Sequence, residues 1–212
     1  MTETAGSTAV RADTSTVLVG IDLLTARERH ADELAFACAA ALRSGGGRDI
    51  TVTTQAAALG ERRHVALVIE VAGLDEESVL DELLDLVNLV GRTSGYGLLV
   101  GTTFTGSAEL QPVIEKTLST YRTGAGGRAV VFPGSTALVG TTTVAALLAE
   151  SRIDSVEVIG AAEPDAGTTL ITRGFVRPRW SGGRLVLHAQ PARGGALVPF
   201  ETPDPTPCCA NP

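Results

Sequence analysis

The sequence predicts an α/β protein with a mixed β-sheet flanked by helices. Short runs rich in β-branched residues alternate with segments of helical period, which gives the order β-α-β-β-α-β-α-β-α-β. The last third of the chain has strand-like runs without a helical period, and it predicts a C-terminal antiparallel β-meander. The alternative is a ferredoxin-like N-terminal half over residues 17–101, followed by a small α/β unit.

Length and composition favour one α/β domain over residues 15–200. A chain of 212 residues that is 44% apolar and 4% aromatic can bury an aliphatic core without disulfides or metal. Residues 1–14 are small and polar without periodicity, and they predict a disordered leader. Residues 201–212 are rich in proline and predict a flexible, extended tail.

Charge and cysteine content limit the partners and the compartment. The net charge of −7 argues against a nucleic-acid partner, because phosphate backbones bind clustered Lys and Arg. No apolar run reaches the roughly 20 residues that span a bilayer, and the N-terminus lacks the pattern of a secretion signal. Three cysteines make no disulfide framework. We therefore expect a cytoplasmic protein that binds neither nucleic acid nor membrane.

The first predicted strand, residues 17–21, ends at Asp22. A helix over residues 26–42 follows, because apolar residues recur at every fourth position. Thr25 and Glu28 have the spacing of a capping box, which predicts the start of this helix.

Two strands over residues 50–54 and 65–71 come next, and we expect them to pair antiparallel. Asp75 then starts the clearest helix of the chain, which Ser94 and Gly95 end. The predicted buried stripe of this helix consists of Leu80, Leu83, Leu84, Val87 and Val90.

The stretch from residue 97 to residue 160 alternates strands with helices. Its predicted elements are a strand over 97–100, a helix over 109–121, a strand over 129–132, a helix over 142–151 and a strand over 155–160. This alternation favours parallel strands joined by helical crossovers. Pro112 fits the first turn of its helix, where its missing N–H needs no partner.

The C-terminal meander has a predicted register. Its strands are residues 168–180, 184–190 and 196–200. Gly182 and Gly183 suit a two-residue hairpin turn, which sets Ser181 opposite Arg184. This register gives the hairpin one apolar and one basic face, and Pro178 predicts an edge strand because it cannot donate to a neighbour.

Two turns rich in glycine and hydroxyl groups are the predicted ligand site. Each follows an apolar strand and precedes a helical segment, so unpaired N–H groups and hydroxyls can hold a phosphate or carboxylate. If the strands ending at Asp22, Gly101 and Phe132 are parallel, the turns meet at one sheet edge, with Asp22 as acid–base catalyst. The predicted ligand-binding residues are Thr102, Thr103, Thr105, Ser107, Gly134, Ser135, Thr136, Thr141 and Thr142. The same residues also suit plain helix caps and turns.

A basic cluster on the hairpin is a second candidate feature. Arg173, Arg177 and Arg179 share one face, with His188 opposite Arg177. Arg173 and Arg177 suit a clamp over a bound anion, because guanidinium groups pair with carboxylate and phosphate. For this face we favour the alternative, a charged edge that protects the sheet from aggregation. The histidines lack metal or triad spacing, and we expect His64 at the surface.

The sequence thus predicts binding of an anionic small molecule that carries phosphate or carboxylate, with or without catalytic turnover. It has neither a P-loop nor a dinucleotide fingerprint, and it identifies no cofactor and no metal ligands. The alternative is a non-catalytic assembly subunit that forms a homo-oligomer. A third hypothesis is thiol or soft-metal handling by Cys208 and Cys209.

Overall fold

The computed structural model describes residues 16–91 and 95–203, and it confirms a mixed α/β fold. The predicted leader and tail residues 204–212 lie outside the described residues. The helices are α1 (Glu28–Ser44), α2 (Glu76–Gly91), α3 (Gln111–Arg122) and α4 (Val144–Glu150). The strands are β1 (Thr16–Thr25), β2 (Arg48–Leu59), β3 (Arg62–Ala72), β4 (Gly97–Val100), β5 (Thr103–Gly106), β6 (Arg128–Val131), β7 (Thr141–Thr143), β8 (Ser155–Val158), β9 (Thr169–Ile171), β10 (Arg179–Ser181), β11 (Arg184–Pro191) and β12 (Leu197–Pro199).

The strands form one open sheet in the order β5-β4-β1-β3-β2-β6-β10-β11-β12-β9-β7, and β8 pairs with β11. Neighbours are antiparallel except for the pairs β8–β11 and β9–β12. The three predicted parallel strands over residues 97–160, β4, β6 and β8, do run in one direction, but no two of them are neighbours in the sheet. β1, β3 and β2 lie between β4 and β6, because the long β2–β3 hairpin pairs with β1 and β6 on its two sides.

Helices cover both faces of the N-terminal part of the sheet. α1 and α2 pack on one face over a core of aliphatic side chains from β1, β2, β3 and β4. α3 packs on the other face through Ile114 and Leu118. A side-chain carbon at Gly20 would lie 2.3 Å from Cγ2 of Ile114, so only glycine lets α3 approach β1 this closely.

The C-terminal part has its own hydrophobic cluster, in which α4 packs against strands from β6 to β12. The predicted hairpin register is confirmed, because Ser181 pairs with Arg184 and Trp180 with Leu185. The predicted edge position is wrong, since β10 pairs with β6 as well as with β11. Pro178 fits there because it precedes β10 and only its carbonyl is used, accepting a hydrogen bond from Ala129.

The predicted helix ends are partly correct. Asp75 caps α2 by accepting a hydrogen bond of 2.8 Å from the backbone N–H of Ser78, and Pro112 lies in the first turn of α3. The capping box before α1 is wrong, because Thr25 still belongs to β1 and no side chain caps the helix. Val90 is half exposed at the end of α2 and does not join its buried stripe.

No helix within residues 16–91 and 95–203 is both long enough and apolar enough to cross a membrane.

Candidate functional site

The first predicted turn joins two strands instead of a strand and a helix. Gly101 and Thr102 connect β4 to β5, so Thr103 and Thr105 lie in β5 at the edge of the sheet. The backbone N–H of Ser107 donates to the carbonyl of Tyr96. Thr103 and Thr105 therefore belong to a strand, whereas Ser107 directly precedes the 3₁₀-helix Ala108–Leu110 that leads into α3.

The second predicted turn uses its polar groups locally. Ser135 Oγ accepts from the backbone N–H of Phe132 at 3.3 Å, and Thr143 Oγ1 caps α4 by accepting from Ala146 at 3.2 Å. Gly134 has a φ of +83°, and a side-chain carbon there would lie 2.1 Å from the carbonyl oxygen of Glu150. Thr136 is exposed beside it, and Thr141 and Thr142 pair with β9. These contacts favour the cap-and-turn interpretation.

The two turns and Asp22 do not converge. Asp22 pairs with Gly97 at the start of β4, whereas Gly101 follows the end of that strand. Asp22 and Gly101 therefore lie beside opposite ends of β4. Gly101 and Phe132 lie at the same end, but β4 and β6 are separated by β1, β3 and β2. Four strand spacings correspond to about 19 Å. The shared pocket expected from parallel neighbours is therefore not formed, because the pairing is antiparallel.

Asp22 is buried and held on both carboxylate oxygens. Oδ2 lies 2.7 Å from Nε2 of His64, and Oδ1 accepts from the backbone N–H of Leu24 at 2.8 Å. The expected surface position of His64 is wrong, since its side chain has no exposed area. The catalytic assignment of Asp22 stays a prediction, and the burial of its carboxylate favours a structural role.

A cleft of about 970 Å³ lies elsewhere, between the first turns of α1, the start of β6, the hairpin β10–β11 and residues 200–203. We call it the arginine cleft. Its described lining residues are Glu28, Arg29, Asp32, Glu33, Phe36, Arg128, Ile159, Phe175, Arg177, Arg179, His188, Phe200, Glu201, Thr202 and Pro203. Of the predicted site residues, Arg177 lies in this cleft, whereas exposed Arg173 does not line it.

Asp32 is the centre of the polar network in the cleft. Its carboxylate accepts two hydrogen bonds from Arg128, at 2.5 and 3.1 Å, and one from Nε of Arg177 at 3.0 Å. All three side chains are largely buried. One carboxylate thus orients two guanidinium groups, a charge-assisted arrangement with well-defined geometry.

Glu201 extends this network to the end of the described chain. It accepts a hydrogen bond from Nε of Arg128 and a long one of 3.4 Å from Nη2 of Arg179. Arg179 is otherwise open to solvent, with 54% of its side chain exposed. Glu201 thereby holds residues 200–203 against the cleft as one of its walls.

Aromatic rings frame Arg177. Its guanidinium carbon lies 4.2 Å from the centroid of the Phe175 ring and 5.6 Å from that of Phe36, and these cation–π contacts help to hold the planar group in place. Phe36 and Phe200 are 50% and 55% exposed. The cleft therefore combines cationic hydrogen-bond donors with uncovered apolar surface.

The surroundings shift the pKa values of the two buried guanidinium groups in opposite directions. Burial lowers the pKa of Arg128, but the hydrogen bonds and charges of Asp32 and Glu201 outweigh it and raise that pKa above its ordinary value. For Arg177 burial dominates, and Asp32 offsets it only in part, so its pKa is lowered. Both groups stay charged. The positive charge of Arg177 is therefore less compensated than that of Arg128, and an added anion stabilises Arg177 more.

Sequence reasoning missed Asp32, Arg128 and Glu201. Asp32 had a detectable signal, because it lies three and seven residues before the buried Ala35 and Ala39 on the apolar stripe of α1. A carboxylate on such a stripe requires a buried partner. Nothing local in the sequence identifies that partner as Arg128, which is 96 residues away.

Metal and thiol chemistry receive no support within the described residues. No group of three or more potential ligands is found in residues 16–91 and 95–203. Cys38, on α1, is fully buried in the core. Cys208 and Cys209 lie outside the described residues, and their role stays a prediction.

No protein-family model matches the chain, and no curated protein matches it at a significant level.

Proposed function

We propose that this protein binds a small organic anion in the arginine cleft, with the anionic group on Arg177 and Arg179 and an apolar body against the exposed rings. The observation that carries the proposal is the incomplete pairing of Arg177. Its Nε donates to Asp32 and its Nη1 to the carbonyl of Val176, and Nη2 has no hydrogen-bond partner among the described residues.

The position of Asp32 supports the proposal. By accepting from Arg128 and Arg177 together it fixes both guanidinium groups before any ligand arrives, which reduces the entropy lost on binding. The volume of about 970 Å³ lies within the range of small-molecule pockets, which run to about 1,000 Å³. The aromatic frame supplies the apolar surface that such pockets need in addition to a few polar groups.

The proposal is tested by calorimetric titration of phenylacetate and phenyl phosphate into the protein. We expect saturable binding of at least one probe, and its loss in Arg177→Gln. Arg173→Gln is the matched control, because it removes an equal charge from the same segment outside the cleft. Arg179→Gln, at an exposed position, is a second test variant if Arg177→Gln disturbs the circular dichroism spectrum. Absence of binding, or equal binding in all variants, would overturn the proposal.

A second candidate function is assembly into a homo-oligomer without catalysis. It is favoured by apolar side chains that the chain leaves uncovered, notably Leu89 at 62% and Val90 at 50% exposure near the end of α2. Light scattering over a range of concentrations tests it. A strictly monomeric protein, or a dimer unaffected by Leu89→Glu, would contradict this surface as the interface.

We also infer a ferredoxin-like arrangement for the N-terminal half. The strand order β4-β1-β3-β2, with antiparallel neighbours, supports it. The packing of α1 and α2 into one hydrophobic cluster on a single face of these strands supports it as well.

A further inference from the structure

We infer that the arginine cleft selects a monocarboxylate with a planar apolar body over a phosphate ester of similar shape. This inference rests on the proposed function and adds the chemical class of the ligand.

The charge of the cleft limits what it can neutralise. Its described lining has four arginines, Arg29, Arg128, Arg177 and Arg179, and four carboxylates, Glu28, Asp32, Glu33 and Glu201. The formal charges of these eight side chains cancel. A buried anion is tolerated only where charge and hydrogen bonds compensate it, so this lining accepts a single negative charge more readily than two.

The available donors also suit one carboxylate. Arg128 uses all three guanidinium nitrogens on Asp32, Glu201 and Thr54. Arg29 pairs with Glu33 on the exposed side of α1. Among the arginines, the open edge of Arg177 and the weakly engaged Arg179 remain. His188 also lines the cleft, with its Nε2 3.6 Å from a carboxylate oxygen of Glu157. A planar guanidinium edge matches the two oxygens of a carboxylate.

The carboxylates already present disfavour a second charge. Asp32 lies 3.0 Å from Nε of Arg177, and Glu201 lies 3.4 Å from Nη2 of Arg179. An anion on these two arginines is therefore close to two fixed negative charges. A phosphate monoester carries a charge close to −2 above pH 7, and its second charge is repelled by these two carboxylates.

The aromatic frame adds the preference for a planar body. Phe36 and Phe175 lie against the guanidinium of Arg177, and Phe36, Ile159 and Phe200 are about half exposed. A ring joined to the carboxylate by one or two carbons can rest on these side chains while its oxygens reach Arg177. Such offset ring contacts add to the free energy of binding.

The test compares phenylacetate with phenyl phosphate at pH 8 by calorimetric titration, with acetate as the probe that lacks the ring. We expect phenylacetate to bind about tenfold more tightly than phenyl phosphate, and acetate to bind more weakly still. If phenyl phosphate binds equally well or better, this inference is wrong while the proposed function stands. If neither aromatic probe binds, both this inference and the proposed function are wrong.

Removing one carboxylate from the lining tests whether charge causes the preference for phenylacetate over phenyl phosphate. Glu201→Gln removes one carboxylate from the lining and keeps an oxygen that can accept from Arg128, so we expect it to reduce the preference for phenylacetate severalfold. Glu163→Gln is the matched control, because it makes the same change in net charge at an exposed position outside the cleft. An unchanged preference in Glu201→Gln, or an equal change in both variants, would contradict the charge argument.

Discussion

The imidazole of His64 and the carboxylate of Asp22 meet at 2.7 Å, and neither side chain has any exposed surface. The second oxygen of Asp22 accepts from the backbone N–H of Leu24, which has a φ of +53°. The pairing of β1 with β3 is irregular between Ile21 and Thr25. Asp22 and His64 therefore join these two strands where their regular ladder is interrupted.

We expect Asp22→Ala to lower the free energy of unfolding by about 1–3 kcal/mol for each of the two buried groups that lose a partner, Nε2 of His64 and the backbone N–H of Leu24. Asp22→Asn should cost less than about 2 kcal/mol, since its oxygen can accept from Leu24 and its NH₂ can donate to His64. Urea unfolding of the two variants measures the difference. Equal losses would show that the hydrogen bonds of the pair are not what stabilises this part of the sheet.

The cap of α2 predicts a pH dependence. The hydrogen bonds from the backbone N–H and the hydroxyl of Ser78 lower the pKa of Asp75 from its ordinary value of 3.8. The ionised carboxylate therefore stabilises the folded protein above pH 4, and this contribution is lost as the pH falls through the lowered pKa. We expect Asp75→Ala to melt below the wild type at pH 7, and the difference to shrink at about pH 2.

Asp75→Asn is the control for this pH effect, because asparagine caps helices about as well as aspartate and does not titrate. Its melting temperature relative to Asp75→Ala should stay constant across the same pH range. A gap between wild type and Asp75→Ala that does not change with pH would contradict the role of the ionised cap.

The close contact between β1 and α3 predicts a steric effect. Gly20→Ala would bring a carbon to 2.3 Å from Ile114, and such overpacking costs about 1–3 kcal/mol. In an Ile114→Ala background the clashing methyl group is gone, and the same substitution should cost much less. Urea unfolding of the four proteins in this cycle measures the coupling. Additive effects would mean that α3 shifts to make room.

Cys38 should be inert in the folded protein. Burial raises the pKa of its thiol to about 12, and the thiolate is the reactive form. In a Cys208→Ser/Cys209→Ser background, we expect no labelling by a disulfide reagent at pH 8 until denaturant is added. Rapid labelling of the native protein would mean that α1 opens readily from the sheet.

Local features were predictable from the sequence where a few neighbouring residues decide the structure. Gly182 and Gly183 set the register of the β10–β11 hairpin, and Asp75 marked the start of α2. In both cases a short segment has one favourable backbone conformation, which does not depend on the rest of the chain.

Strand direction and the cleft were not predictable in this way. A helix between two strands is compatible with adjacent parallel strands, and equally with strands that run in the same direction but are several strands apart. β4 and β6 are an example of the second arrangement. Asp32 finds Arg128 and Arg177 only after the sheet order brings β6 and the β10 segment next to α1. Such contacts depend on tertiary packing, which periodicity does not encode.

The span of the Asp32 network has a consequence for synthesis of the protein. Asp32 contacts partners 96 and 145 positions further along the chain. Arg128 in turn contacts Glu201, which lies 73 positions after it. Contacts across such long loops form late, because the entropy of closing the loop is lost before the contact can offset it. A nascent chain on the ribosome can complete the sheet around β1, β2 and β3 early, yet it acquires its arginine cleft only after Glu201 has been synthesised.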